Sequence, residues 1–294
     1  MIVGGGIAGL QAAIQLGRYR HKIMVIDADE GRSNLCRSYN NIIGWPDGIG
    51  GPILRSAGKE HAQRLGVQFL RGTVVKAVRE SDGFILTTSE EEEIRGRRLL
   101  LATGVKDRLP DFPELIPCMG LSVYVCPDCD GYEVSDKRTL VIGSGNVGGQ
   151  MALTLSHWTA DLIYVNHEQA ALDNKVRHRL EEKGIVYFDQ PISSVLTEGS
   201  QFRGVVLKDG DTLLVEKCFI AFGGNEVHSS LAEQLDVRRM DNNHIPVDPR
   251  TKMTNAQHVW AAGDVSTFSE MVTIAMGEGS QAAVWIHKSL IGED

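Results

Sequence analysis

Apolar and polar positions follow the same order twice along the chain. A short apolar start (Ile2, Val3) runs into Gly4-Gly5-Gly6-Ile7-Ala8-Gly9, and apolar residues at helical spacing follow through Leu10 to Leu16. His21 to Asp27 then predicts a buried strand that ends in an acid. The order returns at Leu140-Val141-Ile142, with Gly143-Ser144-Gly145-Asn146-Val147-Gly148, a helix over Met151 to Leu155 and a strand over Leu162 to Val165. Each copy later has an apolar strand closing on glycine, Leu99 to Gly104 and Phe219 to Gly223. Strand patterns lie between them: Thr73 to Val78 with Phe84 to Thr88, and Gly204 to Gly210 with Leu213 to Val215. The acidic run Glu90 to Glu93 reads as a solvated hairpin tip. Pro110, Pro113 and Pro117 mark a linker near residues 108–117, and a second crossing is expected near Pro246.

At 294 residues the chain has room for two domains, and 42% hydrophobic with 23% charged residues is an ordinary globular balance. A net charge of -8 without a basic block argues against nucleic acid as a partner. No apolar run reaches the ~18 residues that span a bilayer, and the start lacks a basic segment before an apolar core, so no signal peptide or membrane anchor is expected. Only Met1 and Ile2 precede Val3, so the first strand is short and the start reads as incomplete or misplaced. The five cysteines, Cys36, Cys118, Cys126, Cys129 and Cys218, are too few and too scattered for a secreted disulfide framework. A reducing cytoplasm is the expected setting.

Strand, glycine turn, helix, strand and acid make up a dinucleotide-binding fingerprint. Gly4 permits the turn, Gly6 lets backbone approach a pyrophosphate, and Gly9 lets helix pack on strand. The pyrophosphate belongs where free N–H groups and the positive helix end converge, and Asp27 can accept hydrogen bonds from a ribose diol. Asp27 lies 23 residues past Gly4, and the same offset from Gly143 lands on Asn166. The second copy therefore lacks the ribose acid at that place, although Glu168 follows two residues later. A lone glycine motif is weak; two in the same strand–helix–strand context are stronger.

The chemistry centres on Cys126-Pro127-Asp128-Cys129. Two thiols at this spacing can close a small disulfide ring, and such pairs often hold one thiol at a lowered pKa. Exchange proceeds by thiolate attack through a mixed disulfide. Asp130, directly beside the pair, can pass a proton to or from a leaving thiolate. Half of a zinc site is the competing reading, but zinc wants four ligands and no second pair stands at ligand spacing; no metal is expected. Cys36, Cys118 and Cys218 read as small buried apolar residues.

With these motifs and Val259-Trp260-Ala261-Ala262-Gly263-Asp264-Val265 near the end, the chain resembles the low-molecular-weight thioredoxin reductase family over essentially its whole length, with the motifs in the family's order. The resemblance implies an α/β fold of two Rossmann-like, three-layer ββα dinucleotide-binding domains, the second inserted in the first. Residues 1–114 and 247–294 would bind FAD, and residues 115–246 would form a nicotinamide-type domain carrying the cysteine pair. Gly4, Gly6, Ile7, Ala8 and Asp27 would hold the ADP half of FAD, with the Val75 backbone against adenine. Ala102, Thr103 and Gly104 would line the site, and Gly263 and Asp264 would meet the ribityl–pyrophosphate portion. The amides near Met271 and Val272, at the start of a helix over Val272 to Ala283, would face the flavin N1 and C2 carbonyl. Cys129 would stand next to the flavin, Cys126 would attack the partner disulfide, and Asp130 would be the acid/base. A thioredoxin-like protein disulfide, a homodimer and a swivelling domain are further implications.

The chain departs from the family at its second nucleotide site (Gly143, Gly145, Asn146, Val147, Glu168). Family members that use NADPH carry a His-Arg-Arg stretch and a further arginine; Asn166-His167-Glu168 and Leu172 stand there instead, and Gln150 replaces an acid. Arginine matches a 2′-phosphate bidentately, whereas Glu168 repels it. NADPH use is therefore doubtful. NADH with Glu168 on the ribose, ferredoxin or another flavin as donor, a dithiol oxidase passing electrons to oxygen, and a flavin sensor without turnover all stay open. Asp130 leans against the oxidases, which tend to carry histidine after the cysteine pair.

Overall fold

The computed structural model describes residues 1–266 and 269–292. The chain divides into two compact units. Residues 1–34, 50–106 and the segment from Glu226 onward form the first, and residues 35–49 and 107–225 the second.

The chain starts in the first unit with β1 (Ile2–Val3), α1 (Ile7–Arg18) and β2 (Met24–Asp27), then α2 (Gly51–Arg64) and β3 (Gln68–Arg71). An antiparallel set follows, β4 (Val74–Glu80), β5 (Gly83–Thr88) and β6 (Glu93–Gly96), before β7 (Leu99–Leu101) and β8 (Val105–Lys106). The second unit carries β9 (Val123–Tyr124), α3 (Pro127–Asp130), β10 (Thr139–Gly143), α4 (Gly145–Leu155), β11 (Leu162–Asn166), α5 (Asn174–Glu182) and β12 (Val186–Phe188). It continues through an antiparallel set, β13 (Ile192–Glu198), β14 (Gln201–Leu207) and β15 (Thr212–Leu214), to β16 (Lys217–Ala221). Back in the first unit come β17 (Glu226–Val227), α6 (Ser230–Gln234), β18 (Val259–Ala261) and α7 (Val272–Ile291).

Each unit is built on a five-stranded sheet, β18-β7-β1-β2-β3 in the first and β12-β11-β10-β16-β9 in the second. Their pairings are parallel. Strand residues alternate between faces, which makes each unit three layers deep. In the first, Ile2, Val25, Leu100 and Trp260 face the α1 and α7 residues Ala12, Ala13, Ala282 and Ala283. Their neighbours Val3, Ile26, Leu101 and Ala261 pack with Phe84 and Leu86 of the antiparallel set. In the second, Val141, Tyr164 and Phe219 face α4 and α5 through Ala152 and Leu180, while Leu140, Ile142, Ile163 and Cys218 face Phe202 and Val205. Burial on both faces is why these strands read as unbroken apolar runs. The architecture is the Rossmann-like α/β pair that the sequence implies.

Local details differ from the sequence pattern. Residues 21–23 stay outside β2, because Arg20 takes φ +62° and the turn at the end of α1 closes through His21 N–H to Leu16. Glu93 opens β6 opposite Thr87 instead of lying in the hairpin tip. The α4 and α7 helices are longer than the expected Met151–Leu155 and Val272–Ala283. The 108–117 linker is partly wound into a 3₁₀ helix at Pro113–Cys118. The chain returns to the first unit at Glu226, ahead of the expected crossing at Pro246, since β17 pairs with β8 and Gln234 of α6 accepts the Ala77 N–H of β4. Among the described residues, no helix is long and apolar enough to cross a membrane.

Candidate active site

The cysteine pair sits where β9 ends. Cys126 caps the short helix α3: its sulfur accepts the Cys129 N–H at 3.2 Å, and Pro127 takes the first helical position, where a missing N–H costs nothing. Cys126 and Cys129 form a disulfide with Cα atoms 5.3 Å apart. Gly131 lets the following turn lie on Trp158, whose ring comes within 2.6 Å of where a Cβ would stand. Asp130 donates its backbone N–H to the Cys126 carbonyl at 3.0 Å. Burial, then the charge of Glu133, pushes the Asp130 carboxyl up to about 7, with Lys217 opposing the shift.

Lys217 opens β16 and is half-buried. Its ammonium donates to the Leu121 carbonyl and the Tyr124 hydroxyl, both at 2.8 Å, and burial lowers its pKa. Tyr124, fully buried, donates to Leu121 at 2.6 Å. Of the three remaining cysteines, Cys118 and Cys218 are buried as expected. Cys36 is only half-buried. Burial, with the Asp130 charge adding, pushes its thiol up to about 12, so it stays protonated. Among the described residues, no three His, Cys, Asp or Glu side chains gather as metal ligands.

The glycine loop of the first unit is shaped by close contact on one side and open space on the other. Gly4 has φ +103°, and a Cβ there would lie 2.2 Å from the Ala102 carbonyl oxygen. A Cβ on Gly9 would lie 1.9 Å from the Gly4 oxygen, whereas a Cβ on Gly6 would meet nothing within 4 Å. No side chain caps the N-terminus of α1, so the amides of Ile7 and Ala8 face that space. Asp27 ends β2 and is held by buried Arg55 at 2.7 Å, which also reaches Asp29 at 3.1 Å. Val75 falls in the β4 bulge, with its carbonyl accepting from Gln234 at 3.1 Å.

The other expected contacts of this unit cluster at β7 and β18. Thr103 Oγ1 donates to the His228 carbonyl, and Gly104 has φ +70° and accepts the His228 N–H at 3.0 Å. The Gly263 N–H donates to the buried Glu278 carboxylate at 2.8 Å, and Lys252 pairs with the same carboxylate at 3.0 Å. Arg32 bridges Asp264, at 3.2 Å, and Glu270. Met271 caps α7 without a side-chain bond, and Val272 opens the helix. An open cradle over Gly6, an uncapped helix start and an acid at the next strand end fit the pyrophosphate and ribose of a dinucleotide.

The family of pyridine nucleotide-disulphide oxidoreductases matches residues 1–279. The chain belongs to this family. The thioredoxin reductase of Coxiella burnetii is 28% identical over 97% of this chain and 93% of its own length. Among solved structures, HlmI superposes with a TM-score of 0.88 at 27% identity, covering 100% of this chain and 92% of its own. A putative thioredoxin reductase from Bacillus anthracis gives 0.85 at 26%, covering 99% and 98%. This pyridine nucleotide-disulphide oxidoreductase is thus a thioredoxin reductase-like flavoprotein, an oxidoreductase acting on disulfides, and its family implies FAD.

The second glycine loop of this family member is arranged differently from the first. Gly145 has φ +47°, and its N–H donates to Asn166 Oδ1 at 2.8 Å. A Cβ on Gly145 would lie 2.6 Å from the Ala171 carbonyl oxygen. Asn146 and Asp173 exchange two hydrogen bonds, at 2.7 and 2.8 Å. Val147 is half-exposed. Glu168 forms an ion pair with Arg108, whose guanidinium lies 5.7 Å over the Phe222 ring; both line an open cleft of about 480 Å³ with His167.

Arg32, Arg55, Glu133, Lys217 and Glu278 were invisible to motif reading. Two carried a usable signal: Lys217 heads an otherwise apolar strand, and Glu278 interrupts the apolar face of a long helix.

Proposed function

We propose that the chain is an FAD-dependent disulfide oxidoreductase that exchanges electrons between its flavin and the Cys126–Cys129 pair and passes them to a protein disulfide such as that of thioredoxin. The observation that carries this reading is the Cys126–Cys129 disulfide on a short helix beside a carboxyl group raised to about 7.

FAD, when bound, supplies the two-electron chemistry of its isoalloxazine ring. Gly4, Gly6, Ile7 and Ala8 would take its pyrophosphate, and Asp27, held by Arg55, the ribose. The Val75 backbone, Ala102, Thr103, Gly104, Gly263 and Asp264 would line the remainder. The amides of Met271 and Val272 would offer positive dipole to the flavin's pyrimidine edge.

In the dithiol form, the Cys126 thiolate attacks one sulfur of the partner disulfide. A mixed disulfide forms, and the partner's other sulfur leaves as a thiolate. Cys129 then attacks Cys126, restoring the internal disulfide and releasing the second partner sulfur. Asp130, half-protonated near pH 7, hands a proton to the leaving thiolate and regains it from solvent. We place this chemistry in a homodimer in a reducing cytoplasm.

The test is thiol–disulfide exchange with thioredoxin by the purified yellow protein. Cys126→Ser and Cys129→Ser should each abolish exchange while keeping the flavin. Unchanged turnover in both would refute the reading. A second reading is supported by Glu168, paired with Arg108, which stands in the sequence where the resemblance would have an arginine for a nicotinamide donor's phosphate. It is a dithiol oxidase, in which a dithiol and O2 give a disulfide and H2O2. Peroxide formed one-for-one with dithiol loss would establish it.

A further inference from the structure

We infer that the second glycine loop is occupied by the chain's own polar groups and does not receive a nicotinamide dinucleotide. This rests on the FAD–dithiol reading above and sharpens it by excluding one class of substrate.

The first loop provides an internal comparison. Gly6 and Gly145 hold the same place in the two copies of the fingerprint. Over Gly6 there is open space, the room a pyrophosphate oxygen needs. Gly145 instead has φ +47°, and a Cβ there would meet the Ala171 carbonyl oxygen at 2.6 Å and Ala170 at 3.2 Å. The Gly145 N–H is already spent on Asn166 Oδ1. Asn166 is buried, and its amide nitrogen is fixed by the Ala170 carbonyl and Asp189, both at 2.8 Å, and by the Tyr187 hydroxyl at 3.2 Å. Asn166 also stands at the sequence position that Asp27 occupies in the first copy. The group that would read a ribose is thus turned inward as a plug.

Charge points the same way. Asp173 lies at the start of α4 through its exchange with Asn146, and Asp189 lies behind Asn166. A dinucleotide's pyrophosphate would bring further negative charge to a helix start that already has carboxylates around it. Two cations of this unit have other partners: Arg108 pairs with Glu168, and Arg177 lies 4.8 Å over the Tyr187 ring.

Packing explains why the glycines persist without a ligand. A Cβ on Gly143 would lie 2.5 Å from the Ala221 oxygen, and one on Gly148 would lie 2.4 Å from the buried Tyr164 ring. The Tyr164 hydroxyl in turn donates to the Gly145 carbonyl at 2.7 Å. Sheet, turn and helix need these glycines whether or not a nucleotide binds.

The experiment is an anaerobic titration of the FAD-loaded protein with NADPH, NADH and dithiothreitol in separate arms, with calorimetry of each nucleotide in parallel. Dithiothreitol should bleach the flavin through the cysteine pair. Neither nucleotide should bleach it or show saturable binding at ~1 mM, the top of the usual range of KM. Bleaching or saturable binding by either nucleotide overturns the inference. If dithiothreitol also fails, the FAD–dithiol reading is what falls, and the calorimetry still decides whether the loop takes a nucleotide.

Discussion

Lys217 donates to the hydroxyl of Tyr124 at 2.8 Å, tying β16 to the strand that delivers Cys126. The same ammonium draws the Asp130 carboxyl down while burial and Glu133 push it up to about 7. Replacing Lys217 by Met removes a charge that favours the carboxylate, so Asp130 should hold its proton to higher pH. The limb of the exchange rate that reports this group should move alkaline, and Lys217→Arg should restore it. A pH–rate profile that is the same in wild type and Lys217→Met would separate Lys217 from the chemistry.

The raised Asp130 pKa also has a sign for stability. Unfolded, the group has its ordinary value of 3.8, and burial in the fold raises it to about 7. Between these values the folded protein binds the extra proton, so this group's contribution to stability falls as pH rises from the lower value to the higher and is flat above it. Asp130→Asn should therefore flatten the pH dependence of Tm over that window and stabilise the protein at pH 8 relative to wild type, while slowing exchange. Thermal unfolding across pH reads the first effect and thioredoxin exchange the second. A Tm profile no flatter than wild type's would contradict the assignment.

Much of this organisation is legible in the sequence, for identifiable reasons. Strands such as Leu140 to Gly143 are buried on both faces, so they read as apolar runs, and the turns between them and their helices admit only glycine at Gly4 and Gly143. The cysteine pair is a local motif and needs no tertiary information. Lys217 and Glu278 are different. Each matters through a partner distant in sequence, Tyr124 for one and Gly263 and Lys252 for the other, and neither spacing nor propensity carries that. The same limit applies to residues 35–49. Their excursion into the second unit, anchored by Arg37 N–H to the Met119 carbonyl at 2.9 Å, has no signature in composition.

Glu278 is a buried carboxylate that holds the Gly263 N–H, the Ser266 hydroxyl and the Lys252 ammonium. Glu278→Ala leaves the Lys252 ammonium without its carboxylate and should destabilise the protein by ~3–5 kcal/mol, the usual cost of breaking a buried pair. Because Gly263 and Asp264 line the proposed flavin site, the variant should also lose flavin. Tm and the ratio of flavin to protein absorbance test both effects. Wild-type values for the two would show that the pair is decorative.

Two glycine substitutions separate packing from binding. A Cβ on Gly279 would lie 2.2 Å from the Ala8 oxygen and force α7 off α1, so Gly279→Ala should cost ~1–3 kcal/mol, as overpacking does. A Cβ on Gly6 would meet nothing of the protein, so Gly6→Ala should leave the Tm of the flavin-free protein unchanged and weaken FAD binding. Equal effects of the two on flavin-free stability would contradict the open cradle.

The most direct measurement is an anaerobic dithionite titration of the FAD-loaded protein. Wild type should accept roughly four electrons per chain, two for the flavin and two for the Cys126–Cys129 disulfide, and Cys126→Ser should accept roughly two. If wild type and variant take up the same number, the disulfide is not in electronic contact with the flavin, and the account fails.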